Sequence, residues 1–139
     1  MSGHGEDREH IIRRIQDVLA SLPSLRVAYI YGSFLTREDF RDIDIALLAD
    51  DQYSGDKSPA FASRAADALE AAVGFRHECD VRVINHEPVW FRYEVISTGR
   101  PVYVRDEDDR IDFETGVLVE YQDMKSMYDL FDREYLAQV

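Results

Sequence analysis

Three acids and a Gly-Ser pair hold the chemistry this chain could perform. Asp42 and Asp44 flank Ile43; two apart on a strand, their carboxylates point to one side while Ile43 turns into the core. Adjacent carboxylates repel unless something positive lies between them. Mg²⁺, a hard cation that takes a few carboxylates plus phosphate oxygens and waters, meets that need. Asp80 opens a later run, Asp80-Val81-Arg82-Val83, in the same acid-then-apolar manner, and its carboxylate joins the pair if the two strands are neighbours. Three acids around one or two Mg²⁺ ions suit in-line phosphoryl transfer, with Asp80 best placed to help deprotonate the attacking hydroxyl. Gly32 and Ser33 follow an apolar run where a short helical turn can begin: the glycine lets backbone approach a ligand, and the hydroxyl reaches terminal phosphates. Arg37, Arg41 and Arg82 are candidates to steady the triphosphate or departing pyrophosphate. For any one of them, a structural ion pair is the competing explanation. Asp-x-Asp alone also fits a surface turn, and Asp80 alone also fits a partner for Arg82.

The elements that must position these residues follow from apolar periodicity. Asp7 to Leu22 places Ile11, Ile12, Ile15, Val18, Leu19 and Leu22 at helical spacing, with Pro23 as the stop. Leu25–Tyr31 and Asp42–Ala49 read as buried strands, and Cys79–Ile84 as a third. Between the last two, Ser58 fits an N-cap with Pro59 at the first helical position of an alanine-rich helix ending near Gly74. Pro88 to Thr98 reads as a short helix closed by Gly99, and Pro101–Val104 as an edge strand because of its proline. Asp109 to Leu136 is a long helix with Val117, Tyr121, Met124, Tyr128, Phe131 and Tyr135 on one stripe. That stripe either packs across the fold or protrudes at its far end to dock a partner or a second copy, and both can hold for different halves. Trp90 and Phe91 read as core, with lining of a nucleotide pocket as the alternative.

The predicted fold is therefore α/β: a small mixed sheet of about four strands flanked by helices, with a long C-terminal helix and the acids at one open end of the first three strands. Residues 1–139 form a single domain whose first residues, 1–6, are expected to be flexible. A formal charge of −12 repels phosphate backbones, so no direct nucleic-acid partner is expected, although a nucleotide bound through metal ions remains compatible. One cysteine, Cys79, no apolar leader and no long apolar run point to a soluble cytoplasmic protein with no membrane partner. The four histidines show no ligand spacing for zinc, and His77 and Cys79 read as packing or surface residues. No Gly-x-x-x-x-Gly-Lys run or Ser-His-Asp arrangement is present.

Gly-Ser, a short gap, Asp-x-Asp and a later strand-start Asp resemble the signature of polymerase-β-like nucleotidyltransferases. Chain size and the run GRPVYVRDEDDRIDFETGVLVEYQDM resemble the minimal nucleotidyltransferases (MNT) of HEPN–MNT toxin–antitoxin systems. The resemblance implies Mg²⁺-dependent transfer of AMP from ATP onto a tyrosine of a HEPN RNase toxin, which the modification silences. It maps Gly32 and Ser33 onto the phosphate-binding pair, Asp42 and Asp44 onto the metal pair, and Asp80 onto the third acid. One departure is a shortened connection: only Phe34–Arg41 separates Ser33 from Asp42. Two other readings stand beside AMP transfer. One is an antitoxin that neutralises its HEPN partner by contact alone, in a hetero-oligomer built through the C-terminal helix. The other is a nucleotidyltransferase acting on a small hydroxylated molecule, against which the lack of a second, acceptor-holding domain argues.

Overall fold

A computed structural model describes residues 4–137, with side chains from Asp7. The expected flexibility of residues 1–3 lies outside the described residues. The first helix, α1 (His4–Ser21), begins three residues before the predicted Asp7. It is followed by β1 (Leu25–Tyr31), the four-residue α2 (Ser33–Thr36) and β2 (Asp42–Ala49). Then come α3 (Ser58–Ala72), β3 (Glu78–Val83), α4 (Val89–Thr98), β4 (Arg100–Val104) and α5 (Glu107–Ala137). At the start of α3 the cap is Lys57 rather than Ser58, which already lies inside the helix together with Pro59; no side chain bonds the cap amides.

The strands form one mixed sheet in the order β3-β2-β1-β4. β2 and β3 run parallel, whereas β1 pairs antiparallel with both β2 and β4. Pro101 therefore sits on an edge, where a missing N–H costs no ladder bond. Strand alternation divides the apolar residues between two faces. Ile43, Ile45, Leu47 and Ala49 of β2 join Ala28 and Ile30 of β1 and Cys79 of β3 under α1 and α3, against Ile12, Ile15, Leu19, Phe61, Ala65 and Leu69. Burial pushes the Cys79 thiol up to about 12, as expected for a core cysteine. On the other face, Val27, Tyr29, Ala46 and Leu48 pack with Ile84 and with Val95 of α4.

That second face holds only the first half of α5. Val117 is buried, Tyr121 stacks on Tyr93 with centroids 3.7 Å apart, and Arg92 pairs with Glu120 at 2.9 Å. From Lys125 to Ala137 every side chain is exposed, with Tyr128, Phe131 and Tyr135 each more than 60% accessible. The stripe thus packs on the fold in the first half of the helix and protrudes in the second. No helix among the described residues is long and apolar enough to cross a membrane.

The docked half of α5 is fastened to the sheet by Tyr29, which is 1% exposed and whose hydroxyl donates to Glu114 Oε2 at 2.7 Å; Arg110 holds the same carboxylate. Replacing Tyr29 by Phe keeps the ring and removes the donor. Urea unfolding should then show a loss of about 1.5–3 kcal/mol, the scale of a hydrogen bond to a charged acceptor. An unchanged midpoint would mean that packing alone seats the helix.

Candidate active site

The acids assemble because β2 and β3 are parallel and in register. Asp44 lies directly opposite Asp80, as Asp42 lies opposite Glu78. Ile43 and Cys79 are buried on one face, so Asp42, Asp44 and Asp80 share the other, at the N-terminal ends of β2 and β3. Across β1, Tyr31 is the register partner of Asp44. A row of Tyr31, Asp44 and Asp80 thus crosses three strands, with Asp42 one step outward.

The turn leaving β1 is pressed onto this row. Gly32 adopts φ 81°, and a Cβ added there would come within 2.5 Å of Asp44 Oδ2. Both the left-handed backbone and the contact exclude a side chain. The turn is closed by Leu35 N–H donating to the Gly32 carbonyl and Arg37 N–H donating to the Ser33 carbonyl. Arg8, reaching over from α1, fixes it from behind: Nε donates to the Phe34 carbonyl at 2.7 Å and a terminal nitrogen to the Arg37 carbonyl at 2.8 Å. The shortened connection is anchored by Phe40, edge-on to buried Phe34, and by His77, whose Nδ1 lies 3.2 Å from the Arg41 carbonyl.

These elements enclose an open groove of about 370 Å³ lined by Ser33, Arg37, Asp39, Arg41, Asp42 and Asp44. Five of the residues expected from the sequence meet there. Arg37 is already forked onto Asp39, at 2.9 and 2.8 Å, and both side chains are largely exposed. Asp80 and Arg82 lie outside the groove, on its β3 flank, where the Arg82 guanidinium covers the Phe91 ring at 5.5 Å. A larger depression of about 430 Å³ lies elsewhere, between α1, the end of α3 and the Glu38–Phe40 connection, and contains none of the acids. Trp90 is 57% exposed, contrary to a core position, because it precedes the turn of α4 that faces the sheet. Arg8, Tyr31 and Asp39 had no recognised part in the sequence pattern. Arg37-x-Asp39 and the Tyr29/Tyr31 alternation are visible there, but Arg8 carries no local signal.

The electrostatics centre on Asp44. Its carboxyl is raised above the usual carboxylate range, first by burial and then by the charges of Asp80 and Asp42, with Arg82 opposing. Tyr31 is pushed up to about 12, by burial and then by Asp44. Among the described residues no three His, Cys, Asp or Glu side chains are already gathered at metal-holding distances. Residues in register across a parallel pair need only side-chain rotation to converge, so the donor set fits a hard divalent cation.

Two consequences can be measured. Because Asp44 holds its proton more tightly folded than unfolded, the native state binds more protons in the window just above the ordinary carboxylate pKa. Metal-free stability therefore falls as pH rises through that window. Asp44→Asn should raise the metal-free melting temperature at pH 7, with the gain gone below about pH 3; a lower melting temperature at pH 7 would contradict the repulsion. Gly32→Ala should cost about 1–3 kcal/mol through its backbone conformation and displace the Asp44 carboxylate. The thermal unfolding midpoint should fall accordingly, and an unchanged midpoint would count against the close approach.

The family described as polymerase beta, nucleotidyltransferase, matches residues 13–108, a span that includes both Gly32–Ser33 and the three acids. No curated protein matches the sequence. Among solved structures, a toxin–antitoxin with AMP-PNP is similar at 22% identity and TM-score 0.67, covering 90% of this chain and 98% of that one. The toxin–antitoxin MntA–HepT is similar at 20% identity and TM-score 0.65, covering 92% and 98%. A chain of the tri-AMPylated Shewanella oneidensis HEPN toxin in complex with MNT antitoxin is similar at 20% identity and TM-score 0.61, covering 96% and 99%. The fold is thus shared with these proteins over nearly its whole length, and by its matched domain the chain belongs to the polymerase-β nucleotidyltransferase family.

Proposed function

We propose that this protein transfers AMP from ATP to a tyrosine of a HEPN-type RNase toxin and thereby acts as that toxin's antitoxin. The observation that carries this reading is the register that sets Asp44 opposite Asp80, with Asp42 on the same face and Gly32 against Asp44. Likeness to toxin–antitoxin structures, one with AMP-PNP and one with an AMPylated HEPN toxin, supports the choice of donor and partner.

Asp42, Asp44 and Asp80 would hold Mg²⁺, which when bound offsets triphosphate charge and stabilises the departing pyrophosphate. The chain's own groups do the remainder. Gly32 allows the phosphates close to the backbone, and the Ser33 hydroxyl donates to a terminal phosphate oxygen. Arg41 and Arg37, the latter exchanging Asp39 for phosphate, bracket the leaving end of the groove. Arg82 adds positive charge on the β3 flank, beside Asp80. The exposed apolar face of α5 from Met127 to Leu136 is where we place the HEPN partner's contact in a hetero-oligomer.

That same face favours a second reading, neutralisation by binding alone. ATP labelled on its α-phosphate, incubated with Mg²⁺ and a lysate of the source cells, separates the two. Wild type should label a protein, and Asp42→Ala/Asp44→Ala should lower labelling at least ~100-fold, the scale of losing preorganised charge stabilisation. A folded double variant that still neutralises the toxin unlabelled would establish contact as the mechanism.

A further inference from the structure

An in-line displacement needs two approaches to the α-phosphate: one for the leaving pyrophosphate and one, opposite, for the acceptor. The groove gives the first direction. Ser33, Arg37 and Arg41 lie on the β1–α2 side of Asp44, and the acceptor must therefore enter from the β3 side, where Asp80 stands outside that groove. β3 is an edge strand, and Glu78, Asp80 and Arg82 on this flank are exposed.

What lines the flank is aromatic. α4 crosses the sheet from β3 toward β1 and β4: at its start Phe91 lies under the Arg82 guanidinium at 5.5 Å, and at its end Gly99 is packed against Ile30 and Tyr31. Phe91 is held edge-on by two rings, Tyr31 at 5.7 Å and 84°, and Trp90 at 5.9 Å and 80°. Phe91 is thereby committed to the fold. Trp90, perpendicular to it, has no other aromatic partner among the described residues and remains 57% exposed. Indole is the largest apolar surface a side chain offers, and an exposed indole next to the Phe91 ring that Arg82 covers suits a planar aromatic ring carrying a polar tip.

We infer that Trp90, backed by Phe91 and Arg82, is the acceptor platform of this nucleotidyltransferase and selects a tyrosyl side chain; the inference rests on the AMP-transfer reading above. The phenolic ring lies against Trp90 and its oxygen reaches past Arg82 toward Asp80. That oxygen bonds to the α-phosphorus as the bridge to the β-phosphate breaks. Pyrophosphate leaves on the Ser33 side, and the phenolic proton passes to the Asp80 carboxylate. Trp90 is a specificity-determining residue here, and the adenine base does not use it.

Trp90 is the chain's single tryptophan, so its emission reads the platform directly. Two measurements on the full chain test the assignment. In the first, poly(Lys,Tyr) should change Trp90 emission saturably while polylysine does not, and a non-hydrolysable α,β-methylene ATP with Mg²⁺ should leave it within a few per cent. In the second, AMP transfer from ATP to poly(Lys,Tyr) should show a KM for the copolymer at least tenfold higher in Trp90→Ala and restored to within threefold in Trp90→Phe. The KM for ATP should stay within twofold in both. A copolymer KM unchanged in Trp90→Ala overturns the platform while leaving AMP transfer standing. Quenching by the ATP analogue alone assigns the ring to the base and also overturns it. If wild type transfers no AMP yet its emission still answers only the tyrosine copolymer, the platform stands and the AMP-transfer reading falls; no response to the copolymer removes the platform.

Discussion

Three negative charges are held together at one end of a small sheet, and the rest of the molecule can be understood as what makes that tolerable. Asp44 cannot move away from Asp80, because parallel pairing fixes their strands and the residues on either side of Asp44, Ile43 and Ile45, are fully buried. Burial first, and the neighbouring carboxylates second, hold the pKa of Asp44 and of Tyr31 above their ordinary values. Stability supplied by two apolar clusters behind the acids offsets a local arrangement that lone carboxylates would avoid. A cation bound between the carboxylates would relieve that repulsion.

The two faces of the sheet divide the labour. Under α1 and α3 lies a continuous aliphatic core that keeps β2 and β3 in register. The opposite face carries the acids at one end and the α4–α5 packing at the other. Arg8 links the faces: it belongs to α1, yet its guanidinium holds the carbonyls of the turn that approaches Asp44. The shortened connection from Ser33 to Asp42 stays ordered through that clamp and through Phe40 wedged between Phe34 and His77.

Much of this was legible in the sequence, for physical reasons that differ by residue. Asp42-Ile43-Asp44 states its own geometry, because strand alternation leaves no other way to bury Ile43. Pro101 states an edge, and Pro88 and Gly99 bound α4. The strand order was not legible, since nothing in Asp80 or Glu78 specifies their partners; register is set by the apolar clusters as a whole. Arg8 was invisible because its contacts lie 26 and 29 residues away. Trp90 was misread as core because hydrophobicity reports a preference for burial, and here the space under α4 is taken by Phe91. Periodicity gave the whole length of α5 but could not show where its support ends.

That unsupported half carries its own thermodynamic consequence. Thirteen residues extend about 20 Å at the helical rise, with no tertiary contact to reward their ordering. A segment of that length is marginal as a free helix, so its helicity propagates from the docked turns near Tyr121. Local opening free energy must then decline steadily toward the C-terminus, from near the global value at Val117 to almost nothing at the tip. The molecule therefore presents an apolar stripe whose ordering a covering partner would complete, and the entropy of that ordering is subtracted from the partner's affinity.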